Sequence, residues 1–141
     1  MDGACGPGRP RPARFPAYIQ GMKGLHLTAD LYQCRCEAAW LADPARLHTW
    51  CEAAVATVGL EPIAQVFQAL QPGGVNGTVL MTGAHVCLHT WPGEKAVTAD
   101  VFVSQGDRDH AAQARELMLA LVDRFQPEWT EQRSLDRGDE Q

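Results

Sequence analysis

The residues best suited to chemistry lie in one short stretch, from His85 to Pro92, where histidine and cysteine alternate with apolar residues and threonine. His85, Cys87 and His89 are spaced two residues apart, so on a β-strand their side chains project from one face at steps of about 7 Å. Imidazole and thiolate suit zinc or copper, which makes these three residues candidates for a metal site. His89 also opens the tetrapeptide His-Thr-Trp-Pro, in which Trp91 is a candidate pocket or loop-anchoring aromatic.

Alternation with a period of two predicts the strands around this stretch. Leu25, Leu27, Ala29 and Leu31 alternate with more polar residues, which indicates a half-buried strand that begins near Gly24. Similar runs bounded by glycine and proline predict further strands at residues 63–70, 78–81, 86–91 and 96–104.

Two helices are predicted from their capping signals and apolar spacing. Asp43 followed by Pro44 is an N-cap with a first-turn proline, and apolar residues then recur at helical steps until Gly59, so a helix is expected at residues 44–58. Asp107 is expected to cap a second helix, which should end before Pro127.

These elements predict an α+β fold. Strands that neighbour one another in sequence, together with two amphipathic helices, favour a two-layer αβ sandwich in which one mainly antiparallel sheet carries both helices on one face. The other face would remain open. We therefore expect a dimer that stacks sheet on sheet.

The chain length allows one compact domain. Residues 1–23 are rich in proline, glycine and arginine and predict a flexible basic tail. The folded domain is expected at residues 24–126. Residues 127–141 predict a polar C-terminal tail, with weak signal for a short edge strand.

Composition excludes several classes of protein. The net charge of -5 disfavours a nucleic-acid surface and suits a small cationic ligand better. There is no apolar run of the roughly 18 residues that a membrane helix needs, and no secretory signal, so neither a membrane partner nor export is expected and the cytoplasm is the predicted compartment. Five irregularly spaced cysteines predict reduced thiols rather than a disulfide framework.

The central segment resembles a known family. Gly74-Val75-Asn76-Gly77, the run from Ala84 to Pro92, and Asp100-Val101-Phe102 together resemble the short prokaryotic type of S-adenosylmethionine decarboxylase proenzyme, and the likeness covers residues 24–125. The resemblance implies self-processing, in which a serine hydroxyl attacks the preceding carbonyl and the chain is cut to leave a pyruvoyl group. That group would then serve as the electron sink for decarboxylation in spermidine and polyamine biosynthesis.

The sequence departs from the family where that chemistry begins. The cleavage serine corresponds to Ala84, whose methyl group is no nucleophile, and the residue before it, usually glutamate in the family, is Gly83. Of the residues that the resemblance assigns to the reaction, His89 remains as the catalytic candidate. The other family positions that are lost, a processing serine, a cysteine proton donor, a glutamate and an aromatic near the adenine, correspond to Asn76, Ser104, Gly93 and Leu70.

The sequence therefore predicts a non-processing, catalytically inactive homologue with no cofactor. It would act as a regulatory partner, in a homodimer or in a heterodimer with an active paralogue, or bind a small ligand near the pocket candidates Phe67, His85 and Trp91. Such joint losses favour a natural change at Ala84 over an engineered one.

Two alternatives remain open. One is a pyruvoyl-dependent decarboxylase of S-adenosylmethionine or a basic amino acid, with Thr82 or Cys87 as a replacement nucleophile. The other is a metal-binding protein built on His85, Cys87 and His89.

Overall fold

The computed structural model describes residues 22–106 and 108–138. Within these residues the chain forms one six-stranded antiparallel sheet and three α-helices. The elements in chain order are β1 (Gly24–Tyr32), α1 (Ala39–Ala42), α2 (Pro44–Thr57), β2 (Ala64–Ala69), β3 (Val75–Met81), β4 (Ala84–Trp91), β5 (Ala96–Ser104), α3 (Ala111–Phe125) and β6 (Trp129–Arg137). No helix of this described part is long and apolar enough to cross a membrane.

The strands lie in the order β2-β3-β4-β5-β1-β6. Strands β2 to β5 follow one another as a meander, and β1 then pairs with β5 on one side and with β6 on the other. This arrangement confirms the predicted α+β class and αβ sandwich.

Alternation along each strand separates the sheet into two faces. On β1 and β5 the buried residues include Leu27, Leu31, Val97 and Val101, which point toward the helices and form the core with α2 and α3. Removing these apolar side chains from water is the main force that holds the layers together. The residues between them, such as His26 and Asp100, lie on the opposite face, which we call the open face.

The predicted helix at residues 44–58 is confirmed as α2. The side chain of Asp43 accepts hydrogen bonds from the backbone N–H groups of Ala45 at 3.0 Å and Arg46 at 3.3 Å, and Gly59 follows the helix with a φ of 89°. The second helix is confirmed as α3. Asp107, the predicted cap, lies outside the described residues, and the Asp109 side chain accepts from the Ala111 N–H at 2.9 Å.

Two elements differ from the sequence-based prediction. The four-residue helix α1 was not expected, because a segment this short has no apolar period to detect. Strand β6 is an edge strand nine residues long that pairs along all of β1, within a segment predicted as a polar tail with a weak signal for a short edge strand. Most of its side chains are exposed, so its backbone pairing leaves almost no hydrophobic pattern in the sequence.

Candidate functional site

Ala84 lies at the tight turn between β3 and β4. Met81 pairs with Ala84, so Thr82 and Gly83 form a two-residue connection, and Gly83 has a left-handed φ of 61°. The Gly83 carbonyl accepts a hydrogen bond from the Ser104 backbone N–H at 2.9 Å. A Cβ atom on Gly83 would collide with the Ser104 hydroxyl, and the left-handed φ favours glycine in this turn.

His89 lies toward the opposite end of β4, exposed on the open face. It pairs in register with Asn76 of β3, and its Nδ1 lies 2.6 Å from Asn76 Oδ1. Because that oxygen is an acceptor, Nδ1 carries the proton and Nε2 is the basic atom of the ring. Five residues of strand place His89 about 16 Å from Ala84, which is too far for direct contact between them in one protomer.

Thr90, the second residue of the His-Thr-Trp-Pro tetrapeptide, is buried and structural. Its hydroxyl donates to the Leu41 carbonyl at 2.7 Å and accepts from the Val75 N–H at 2.8 Å. One side chain therefore joins α1, β3 and β4. Sequence reasoning assigned no role to Thr90. The available signal was a polar residue on the same strand face as the apolar Val86 and Leu88.

The predicted trio of His85, Cys87 and His89 does not converge. Cys87 Sγ lies 3.3 Å from the Thr78 hydroxyl, whereas His89 is bonded to Asn76 and His85 turns toward Asp100. Burial, together with the nearby Asp100 carboxylate, raises the pKa of the Cys87 thiol although its bond with Thr78 lowers it, so the thiolate is disfavoured.

Another set of donor atoms meets on the open face. His26, His85 and Asp100, from the three neighbouring strands β1, β4 and β5, bring their donor atoms within 4.8 Å of one another, and they are the one such group in the described part of the chain. His26 was missed because it belongs to a strand distant in sequence, and its pairing partner was not predicted.

The pocket candidates are also divided between regions. Phe67 lies on the helix side of the sheet, where its ring stacks on His48 with centroids 5.4 Å apart, so it is separated from His85 by the sheet. Trp91 lines an open cleft of about 780 Å³ together with Tyr32 and Lys95.

The two remaining family positions, Gly93 and Leu70, lie at turns. Gly93 lies in an exposed turn where a Cβ atom would meet nothing within 4 Å. The Leu70 N–H bonds to the Gly74 carbonyl at 2.9 Å and closes the turn before β3.

Comparison with known proteins identifies the family. A profile described as S-adenosylmethionine decarboxylase matches residues 25–138. This chain belongs to the S-adenosylmethionine decarboxylase family. It is 33% identical over 115 residues to an S-adenosylmethionine decarboxylase proenzyme of Archaeoglobus fulgidus, covering 82% of this chain and 97% of the relative. A Thermoplasma acidophilum proenzyme is also 33% identical, over 82% of this chain and 84% of its own.

The fold agrees with a solved structure from the family. The crystal structure of the adenosylmethionine decarboxylase from Aquifex aeolicus matches with a TM-score of 0.74 and 27% identity, over 85% of this chain and 94% of that chain. The match of the family profile extends through β6, so the final strand belongs to the family's domain.

Against this family, the positions that the resemblance assigns to the reaction fall into two groups. Gly83, Ala84 and Ser104 meet at one end of the sheet, whereas Asn76 and His89 meet near the other end of β4. Because about 16 Å of strand separates Ala84 from His89, the two groups do not form one site within the described protomer.

Proposed function

We propose that this chain is a non-processing member of the S-adenosylmethionine decarboxylase family that acts by binding a partner, in a role linked to polyamine metabolism. One observation carries the proposal: the residue that follows the Gly83 carbonyl is an alanine. A methyl group has no lone pair, so it cannot attack that carbonyl or leave in the elimination that would generate a ketoacyl terminus. The residues at this position therefore do not fit a pyruvoyl group.

The carbonyl itself is held in place, so this turn lacks the nucleophile but keeps a positioned electrophile. It accepts from the Ser104 N–H at 2.9 Å, a contact that would stabilise developing negative charge on the oxygen. The Ser104 hydroxyl is also close to Gly83. Attack by that hydroxyl would form an ester on Ser104 and release Ala84 with an ordinary amino group. Elimination of that ester would occur at position 104 and not at the new amino terminus.

Replacement nucleophiles are poorly placed. Cys87 lies three residues inside β4, where its raised pKa keeps the thiol protonated, and the Val86 carbonyl before it already accepts from the Thr78 hydroxyl at 3.0 Å. Thr82 lies in the turn before Gly83, so cleavage there would leave a longer keto acid than pyruvate. Neither residue supplies the missing chemistry.

The open face supports a binding role. Nothing in residues 22–106 and 108–138 forms a second layer over it, and it carries large apolar side chains that are roughly half exposed or more. These side chains come from four different strands and are Val66, Leu80, Trp91, Trp129 and Leu135. We propose that a second protomer of the same fold covers them by stacking sheet on sheet, either another copy of this chain or a processed relative.

Matched substitutions test the partner surface. Leu80 on the open face is 48% exposed, and Leu119 on the outer surface of α3 is 67% exposed. Sedimentation velocity of the wild-type chain should show a dimer, which Leu80→Asp converts to monomers and Leu119→Asp leaves intact. A monomeric wild type that also fails to bind a coexpressed, processed family member would contradict the proposal.

A second candidate function is decarboxylation itself, which the similarity to the two proenzymes favours. The assay is release of carbon dioxide from carboxyl-labelled S-adenosylmethionine, and then from basic amino acids. We expect no release above buffer by the purified chain. Turnover that persists after size-exclusion removal of contaminating enzyme would favour the decarboxylase. The predicted cytoplasmic location is part of the proposal and awaits fractionation of cells.

A further inference from the structure

Two imidazole rings and one carboxylate meet at the centre of the open face. His85 Nε2 lies 2.9 Å from Asp100 Oδ1, and His26 Nε2 lies 3.5 Å from the same oxygen. The three side chains come from adjacent strands β4, β5 and β1, whose registers are fixed by continuous antiparallel pairing. Their convergence therefore results from the sheet and does not depend on a mobile loop.

The distances match the coordination shell of a small metal ion. Zinc binds imidazole nitrogen and carboxylate oxygen at about 2.0–2.1 Å, so two ligand atoms of a tetrahedral site lie about 3.3 Å apart. The two nitrogen–oxygen distances here lie on either side of that value, and all three donor atoms are within 4.8 Å of one another. Only small side-chain rotations would be required to bind such an ion.

An unsatisfied nitrogen supplies an independent observation. His26 Nε2 is buried and makes no hydrogen bond within the described part of the chain. Buried polar atoms without a partner are rare in folded proteins, and a bound ion or water is a common explanation. Asp100 Oδ1 already has His85 as its close partner, so a metal ion between the three groups would satisfy His26 as well.

The surroundings hold the rings in place. The Phe102 ring packs beside both histidines, with centroids 5.8 Å away in each case, and the two imidazoles meet edge to face at 6.0 Å. Such packing restricts the rotamers of the ligands and orients them before an ion arrives. The Arg137 guanidinium lies 5.8 Å from the centroid of the Phe102 ring, and its positive charge would oppose binding of a metal ion.

We propose that His26, His85 and Asp100 bind one divalent transition-metal ion, best matched by zinc, with solvent in the remaining coordination position. Two histidines and one carboxylate form a ligand set that zinc accepts when one position stays open. The ion requires neutral imidazoles that present Nε2 and carry the proton on Nδ1. The inference does not depend on whether the chain processes itself, since Ala84 lies on the other face of the sheet.

Zinc titration of the full-length chain tests the proposal. After treatment with chelator and dialysis, calorimetry with zinc chloride should show one ion bound per chain, and bound zinc should raise Tm by several degrees. His26→Gln and Asp100→Asn should each weaken binding at least about 10-fold, because loss of an outer-sphere group alone commonly costs that much. His48→Gln, which changes a histidine on α2 outside the cluster, should bind as the wild type does.

Cobalt and cysteine variants identify the ligands. Cobalt(II) should give the visible bands of a low-coordinate site without a thiolate charge-transfer band, and Cys34→Ser with Cys36→Ser should leave zinc affinity unchanged. The proposal is overturned if the wild type does not bind zinc, if His26→Gln and Asp100→Asn bind it equally well, or if the cysteine variant abolishes binding. Circular dichroism of each metal-free variant confirms folding, and a misfolded Asp100→Asn leaves His26→Gln to decide the result.

Discussion

Strand β4 carries two adjacent positions with contrasting chemistry. Ala84, at its first residue, packs toward the helices beside a carbonyl that is held in place but has no nucleophile. His85, one residue later, points to the open face and meets two further donor groups. The comparison shows that one strand can present an unreactive methyl group on one side and an ordered polar cluster on the other, because parity assigns the two residues to different environments.

The largest difference between the two faces should be in stability. Leu88 of β4 is fully buried on the helix side, and Leu88→Ala should lower the free energy of unfolding by about 2–5 kcal/mol. Cys87→Ala, its neighbour on the open face, should cost about 1 kcal/mol or less. Urea unfolding followed by circular dichroism measures both. Equal losses would mean that the two faces are packed alike.

Thr90 should show that the His-Thr-Trp-Pro tetrapeptide has a structural function on the helix side. Thr90→Val keeps the shape but leaves the Leu41 carbonyl and Val75 N–H without their partner, at a cost of about 1–3 kcal/mol for each buried group. Thr90→Ser retains the hydroxyl and should recover most of the loss. Comparable unfolding midpoints for the valine and serine variants would contradict this role.

Burial of the Cys51 thiol on the helix side should make the folded protein less stable at alkaline pH. Burial raises the pKa of Cys51 from an ordinary 9.0 to about 12, so the folded state holds a proton that the unfolded chain releases. The contribution of this thiol to the free energy of unfolding is therefore fully present below about pH 9. It is lost as the pH rises toward 12, with a slope approaching about 1.4 kcal/mol per pH unit.

Cys51→Ala is the control for this slope. The variant should have a slightly lower stability at neutral pH but a shallower decline above pH 9, measured by urea unfolding at several pH values. An identical slope in the variant and the wild type would assign the effect to other groups, such as Cys34, whose pKa is raised to about 11 mainly by burial.

The smallest expected effect is that of restoring one hydroxyl at the hairpin. Ala84→Ser should leave stability within about 0.5 kcal/mol and the chain uncleaved after prolonged incubation. The reason is that Asn76 would still stand at the position of the family's processing serine and Ser104 at that of its cysteine proton donor, and His89 is distant from the turn. Efficient cleavage of Ala84→Ser would show instead that alanine was the single defect.

Much of the fold was predictable from local patterns. Alternation on β1 and β5 and the Asp43-Pro44 cap identified the sheet and α2 because these signals are carried by neighbouring residues. Pairing of β1 with β5 and β6 joins distant segments and was not evident. Because β6 is almost wholly exposed, its segment gave only a weak signal for a short edge strand.

The candidate site was also predictable only in part from the sequence. Ala84 and the position of His89 were evident from the sequence, because both lie in a contiguous motif. The metal prediction chose the neighbours of His85 on its own strand, whereas the structure gives it partners from other strands, Asp100 of the neighbouring β5 and His26 of β1 beyond it. Parity predicts which residues share a face, but strand order decides which of them meet.

The intact mass of the purified full-length chain tests the central claim most directly. Because the hairpin carbonyl is followed by a methyl group, we predict one uncut species with the mass of all 141 residues, about 15.4 kDa, and an ordinary amino terminus. Two fragments that separate near Ala84, the downstream one beginning with a ketoacyl group, would contradict the account.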